Sequence, residues 1–146
     1  MPVIQSLISG RPVVSMPPST TVFDGVREMT AKNVGALLVA EADLRPLGIF
    51  TERDLMRRVV AEGLDAHEVT LADVMTRELY TADANSRVAT VRSELQERHI
   101  RHVPVLAEGV AVAILSLRDL LRADLEQCSS ELLETKLYIQ GEQDLS

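Results

Sequence analysis

The chain contains a duplicated segment, and no other property of the sequence limits its fold as strongly. Residues 22–43 align with 88–109 at an offset of 66, so that Val22, Met29, Val34, Leu37 and Val39 are answered by Val88, Leu95, Ile100, Val103 and Val105. One residue then drops out of a loop, and Gly48 to Arg57 matches Ala113 to Arg122 at an offset of 65, with five of ten positions identical. Val26 falls opposite polar Arg92, so Val91, one residue early, is expected to fill that part of the second apolar face. A self-match at a fixed period marks a repeated supersecondary unit. A half of about 60 residues cannot cover both faces of a sheet by itself. The two halves are therefore expected to pack together about a pseudo-twofold axis, with related clefts between them.

Each half reads as strand, helix, strand, strand, helix. In the first, "PVVS" predicts a short strand, and "STTV" supplies a hydroxyl cap to a helix whose Val22, Val26 and Met29 share a face. "GALLVAE" and "PLGIF" predict two further strands, and "TERDLMRRVVAEG" a helix ended by Gly63. The second half repeats this in "ELYTA", "SRVATVRSELQERH", "HVPVL", "VAVAIL" and "SLRDLLRADLEQ". "VTLADVM" predicts a short helical entry to it, and the residues after Cys128 a further helix carrying Leu132, Leu133, Leu137 and Ile139. The expected division is 2–63 for the first repeat, 64–125 for the second and 126–146 for a helical tail. The fold class is α/β in the broad sense, more strictly α+β.

Composition excludes several functions. With no Trp, two Tyr and two Phe, the core must be aliphatic, and stacking platforms for single-stranded nucleic acid are lacking. A net charge of −7 without a basic run opposes binding to a polyanion, so no nucleic-acid partner is expected. A lone Cys128, no basic and apolar leader and no apolar run of about 18 residues lead to the expectation of a cytoplasmic protein without a membrane partner.

The chemistry concentrates in the best-matched stretch, Thr51-Glu52-Arg53-Asp54 and its copy Ser116-Leu117-Arg118-Asp119. One reading is a capping box, a hydroxyl and an acid satisfying free amides at a helix start. The other is a nucleotide grip. Amides and a hydroxyl at a helix N-terminus attract phosphate, a carboxylate accepts from the two hydroxyls of a ribose, and the arginines supply planar donors. Gly48 is expected to leave room for a ligand near the backbone.

These residues resemble a tandem pair of CBS domains, a Bateman module. The resemblance covers about residues 2 to 125. It rests on the "G-h-x-[ST]-x-x-D" junction at Gly48 to Asp54, its copy at Ala113 to Asp119, "HVPV" at His102 to Val105 and "DVMT" at Asp73 to Thr76. It implies two CBS repeats, each β-α-β-β-α, forming a regulatory module that is not an enzyme, needs no resident cofactor or metal, and dimerises through helices. It binds AMP, ADP or ATP, with NAD and S-adenosylmethionine as further candidates. Carried over residue by residue, one cleft would use Thr51, Arg53 and Asp54 with Ser86, Ile100, Arg101 and His102. Its mirror would use Ser116, Arg118 and Asp119 with Thr20, Val34, Gly35 and Ala36.

The sequence departs from the pattern at Ala113, in place of the junction glycine, and at Leu38, in place of the strand proline. Ala113 is expected to add a methyl where ligand would pass, and Arg101 and His102 to add positive charge to the other cleft. The Asp54 cleft is therefore expected to bind more strongly, although Glu52 would repel phosphate if it pointed inward. His99 and His102 straddle a helix-to-strand boundary with no third ligand nearby, which argues against a metal site, and His67 lies in a polar connection. No P-loop, dinucleotide fingerprint or nucleophile elbow is present. Three functions compete: a ligand sensor read through a homodimer or an effector protein, a structural dimerisation module with vestigial clefts, and, last, a small nucleotide enzyme.

Overall fold

The structure, a computed structural model, describes residues 2–11 and 13–145, with side chains as far as residue 134. Its elements are α1 (Gln5–Ile8), β1 (Ser15–Met16), α2 (Val22–Lys32), β2 (Ala36–Val39), β3 (Gly48–Thr51), α3 (Glu52–Asp54), α4 (Leu71–Val74), β4 (Ala82–Asp83), α5 (Val88–Arg98), β5 (His102–Ala107), β6 (Val110–Ser116) and α6 (Leu117–Leu145). A π-helical stretch, Leu55–Val60, continues α3 without a break. Two three-stranded sheets result, ordered β1-β2-β3 and β4-β5-β6. In each, the first strand runs parallel to the second and the second antiparallel to the third. The duplicated β-α-β-β-α unit is thus present twice in a mixed α+β fold.

Local sequence explains most of the element ends. The Thr21 hydroxyl caps α2 by accepting from the Asp24 amide at 3.2 Å, and Asn33 closes it in the left-handed region. Gly63, at φ +69°, stops the chain after the π-helical stretch. That stretch widens the helix so that the Ala61 amide reaches the Met56 carbonyl, 2.9 Å away, five residues back. It turns Val59 into the core and leaves Met56 and Val60 exposed. Strands β1 and β4 are shorter than "PVVS" and "ELYTA" suggest and begin later. Of the residues before them, Val14 still bonds to β2 through the Leu38 amide and lines one cleft, while Glu78, Leu79 and Tyr80 line the other.

The core is aliphatic and divided. Val22, Met29, Leu37, Val39, Phe50 and Val59 form one cluster together with Leu71, Val74 and Met75, which belong to the segment between the repeats. Val88, Val91, Leu95, Val103, Val105, Leu115 and Leu120 form another, together with Ile4 and Ile8 from the N-terminal segment. Each half's core is therefore completed by the segment that precedes the other half. The Val22 and Phe23 amides bond to the Val69 and Ala66 carbonyls, while the Ile4 and Gln5 amides bond to the Ser86 and Ala84 carbonyls. Val91 is buried as the alignment requires. Arg92, displaced outward, pairs with Asp124 at 2.6 Å and ties α5 to α6. Between the halves, Leu38, Ala40 and Ala111 pack with Val13, Leu106 and Ile114. The Ala111 amide also crosses to the Leu44 carbonyl at 3.0 Å.

The tail differs from expectation. Instead of a separate helix after Cys128, α6 runs unbroken through 29 residues, with exposed Cys128 in its middle and not at a junction. No Gly or Pro interrupts Leu117 to Ile139, so Ser129 and Ser130 cost too little helix propensity to break it. Leu132 and Leu133 are exposed on it, and the side chains of Leu137 and Ile139 lie outside the described residues.

Candidate functional site

At each strand-to-helix junction the capping geometry is fully made. The Thr51 amide donates to Asp54 Oδ2 at 3.0 Å and the Asp54 amide to Thr51 Oγ1 at 3.3 Å. Ser116 and Asp119 make the same pair at 2.9 and 3.1 Å. The next amide in each junction is also committed, Glu52 to the Gly35 carbonyl at 3.0 Å and Leu117 to the Arg101 carbonyl at 2.7 Å. This narrows the expectation that free helix amides would receive phosphate to the Arg53 and Arg118 amides, and leaves most of that role to side chains.

Both junctions open onto cavities built from the two halves. The first, about 480 Å³, is lined by Thr51, Arg53 and Asp54 together with Ile100, Arg101 and His102. The second, about 1080 Å³, is lined by Ser116, Arg118 and Asp119 together with Val34, Gly35 and Ala36. Twelve of the fourteen residues expected at the clefts therefore come together as two sets. Thr20 and Ser86 do not line either cavity. Their carbonyls receive the Leu71 and Ile4 amides, so their backbone holds the crossing segments. In their place stand Thr76, Glu78, Leu79 and Tyr80 in the first cavity and Arg11 and Val14 in the second. The offset of 66 relates Arg11 to Arg77 and Val14 to Tyr80, a signal that was available in the sequence.

The two carboxylates are held differently. Asp54 is only 7% exposed, and both its oxygens are engaged. Oδ2 faces Thr51, while Oδ1 accepts from Thr76 Oγ1 at 3.0 Å and pairs with Arg58 at 3.5 Å. Asp119 is more open, its side chain 20% exposed, and Arg11 sits 3.1 Å from Oδ2. Among the described residues nothing bonds to its Oδ1. Burial raises the Asp119 pKa, but the Ser116 amide and hydroxyl and the Arg11 guanidinium outweigh it and hold the acid below the ordinary carboxylate value.

Glu52, Arg101 and His102 line both cavities, so they form the wall between the clefts. Glu52 Oε1 and His102 Nε2 both crowd the position that a Cβ on Gly35 would take, at 3.1 and 3.3 Å. Burial pushes the His102 pKa down, opposed by Glu52 and Asp119 and assisted by Arg101, so the imidazole is neutral near pH 7. The expected advantage of the Asp54 cleft from Arg101 and His102 disappears, because both clefts share them.

Gly48 and Ala113 also need correction. A Cβ on Gly48 would lie 2.5 Å from Met75 Sδ and 2.9 Å from the Thr76 carbonyl, so the glycine admits the chain's own backbone and not a ligand. The Ala113 methyl is buried in the cluster with Ile4 and Ile8, away from the cleft. Leu38 sits in the inter-half cluster, and its amide bonds the Val14 carbonyl at 2.9 Å, which a proline could not do. His99 caps α5, and its carbonyl accepts from Arg53 Nη1 at 2.8 Å across the halves. His67 stacks on Phe23 with ring centroids 4.1 Å apart and is not merely solvated. Among the described residues no three His, Cys, Asp or Glu gather as a metal-holding group.

Two duplicated α+β halves joined across a shared wall, with a cleft on each side of it, define a paired regulatory module. The CBS domain pattern matches residues 6–61 and again 71–126, and the chain belongs to the CBS domain family. It is 34% identical over 125 residues to a mitochondrial CBS domain-containing protein of Arabidopsis thaliana, CBSX3, covering 83% of this chain and 61% of that protein. The crystal structure of a CBS-domain protein from Agrobacterium tumefaciens superimposes with TM-score 0.77 at 30% identity, covering 84% and 99% of the two chains. A CBS domain protein from Pyrobaculum aerophilum, crystallised with AMP, superimposes with TM-score 0.77 at 28% identity, covering 88% and 99%. No described helix is long and apolar enough to cross a membrane.

Proposed function

We propose that the chain is a regulatory CBS pair, resident in the cytoplasm, that senses an adenosine-containing ligand in the clefts between its repeats. AMP, ADP and ATP are the first candidates. The observation that carries this reading is the convergence of each acid-tipped junction with the strand edge of the opposite repeat, Asp54 with Ile100 and Asp119 with Val34. The AMP complex of the Pyrobaculum aerophilum neighbour supports the ligand class. The open Oδ1 of Asp119 would accept from ribose hydroxyls, and Asp54 would do so on giving up its bond to the Thr76 hydroxyl. In each cleft the apolar edge would line the base and the arginines would meet phosphate. A ligand that touches both halves favours the arrangement in which both sets are in reach, and that preference is what a partner would read.

A homodimer is the proposed route of output, alone or with an effector protein. It is supported by Leu121, Leu125 and Leu132, all exposed on α6 at the four- and seven-residue spacing of a helix-pairing stripe. The same surface would serve the alternative, a dimerisation module with vestigial clefts.

Thermal denaturation with AMP, ADP, ATP, NAD and S-adenosylmethionine separates the two. A ligand at 100 times its dissociation constant should stabilise the fold by about 2.7 kcal/mol. Replacing AMP with 2′-deoxy-AMP should weaken binding by about 1.5–3 kcal/mol, the value of a hydrogen bond to a charged group. If no adenine compound shifts the transition, the sensor reading fails and the dimerisation module remains.

A further inference from the structure

The two clefts are unequal in ways that bear on which nucleotide each one takes. Four arginines, Arg11, Arg101, Arg118 and Arg122, line the Asp119 cleft against two carboxylates, Glu52 and Asp119. Three arginines, Arg53, Arg57 and Arg101, line the Asp54 cleft against three carboxylates, Glu52, Asp54 and Glu78. With His102 neutral and shared, one cleft carries an excess of two positive charges and the other none. The basic cleft is also more than twice the volume, about 1080 against 480 Å³.

Hydrogen bonding commits one arginine in each cleft and leaves the difference standing. Arg53 is held by the His99 carbonyl and Arg11 by Asp119, whereas among the described residues Arg57 in the Asp54 cleft, Arg118 and Arg122 in the Asp119 cleft and the shared Arg101 hold no side-chain hydrogen bond or ion pair. Most junction amides are consumed within the chain, so most of the phosphate charge falls to guanidinium groups. A triphosphate brings three to four negative charges, and three uncommitted guanidiniums can answer most of them. In the Asp54 cleft, Glu78 adds a repulsion of the same chain of phosphates that the other cleft lacks, Glu52 being common to both. Its other walls, Met56, Leu79, Tyr80 and Pro104, suit a compact ligand with an apolar face.

We infer that the clefts are specialised: the Asp119 cleft takes the polyphosphate of a nucleoside di- or triphosphate, and the Asp54 cleft takes an adenosyl ligand bearing at most one phosphate. The inference rests on the adenosine reading of the clefts given above.

Calorimetric titration of the full chain with ATP and with AMP tests it, on the wild type and on Arg118→Gln/Arg122→Gln, two exposed positions. The double variant should weaken ATP by about tenfold or more and change AMP by less than about twofold. Methyl-labelled Met and Leu locate each ligand, since Met56 lines the Asp54 cleft alone and Leu121 and Leu125 the Asp119 cleft alone. AMP should perturb Met56 first, and ATP Leu121 and Leu125 first. Equal losses for both nucleotides, or ATP perturbing Met56 and Leu121 at the same concentrations, would overturn the specialisation while leaving the adenosine reading intact. Failure of the wild type to bind either nucleotide would overturn both.

Discussion

Gly48→Ala adds one methyl group at the point where the first repeat is closed by the crossing segment. The new carbon would lie 2.5 Å from Met75 Sδ, 2.8 Å from Met75 Cγ and 2.9 Å from the Thr76 carbonyl oxygen. Contacts between heavy atoms are comfortable at about 3.5–4.0 Å, so the overlap is roughly 0.6–1 Å against three atoms at once. Neither neighbour yields easily. Met75 is 4% exposed within the cluster of Leu71, Val74 and Val22, and Thr76 is held to Ile49 by two backbone hydrogen bonds of 3.0 and 2.9 Å. Overpacking of this kind costs about 1–3 kcal/mol. Reduced freedom of the unfolded chain returns only about 0.4–1 kcal/mol. Gly48 is not at positive φ, so the clash decides the sign.

With about 0.5–2.5 kcal/mol lost on balance, the variant should melt lower, by roughly 1–10 °C for a chain of this size. It should also lose ligand-induced stabilisation in the Asp54 cleft, because displacing Thr76 removes a hydroxyl from Asp54 Oδ1. In a double-mutant cycle, Met75→Ala should recover part of the loss, since it removes two of the three clashing atoms. A Gly48→Ala protein that melts within about 1 °C of the wild type would show that the crossing segment is not packed against β3 as described.

Three further outcomes follow from the same geometry. Thr76→Val removes a buried donor to Asp54 and should cost about 0.5–1.5 kcal/mol in urea denaturation; no change would mean that Arg58 alone satisfies that oxygen. Because the folded pKa of Asp119 lies below its ordinary 3.8, its contribution is present above that value and is lost as pH falls through the folded pKa. Asp119→Asn should therefore flatten the acid limb of a stability profile below about pH 4, by less than about 1 kcal/mol for so open a pair, and identical limbs would remove Arg11 from the account. Leu125→Asp with Leu132→Asp should convert a dimer to a monomer in light scattering without lowering the melting temperature, whereas an unchanged mass would place any dimer contact elsewhere.

What was legible in the sequence was what depends on near neighbours in the chain. The acid three residues after a hydroxyl folds back on its own helix turn wherever that turn occurs, so Thr51 with Asp54 and Ser116 with Asp119 could be read directly. The pairing of Val34 with Ile100 followed from the offset, and their place at the clefts from the family resemblance. The residues that were missed belong to segments whose place is set by the other half. Thr76, Glu78, Leu79 and Tyr80, and likewise Arg11 and Val14, reach the clefts only because the linkers cross over, and no local pattern announces a crossing.

Gly48 illustrates how the same limit works in energetic terms. A glycine in a strand signals that something comes close, but its identity is a tertiary fact. Here it is Met75 and Thr76. The second repeat puts Ala113 at the matching position, and the residue 66 places before Met75 is the much smaller Ser9. Ala113 is itself fully buried, in the cluster with Ile4, Ile8 and Leu115. Ala113→Gly should accordingly destabilise as well, by about 1 kcal/mol for the lost buried methyl and the added chain freedom, so neither junction is an impaired version of the other. Since Gly48 and Ala113 both face protein interior, the lining arginines and glutamates, and not the junction glycine, distinguish the two sites.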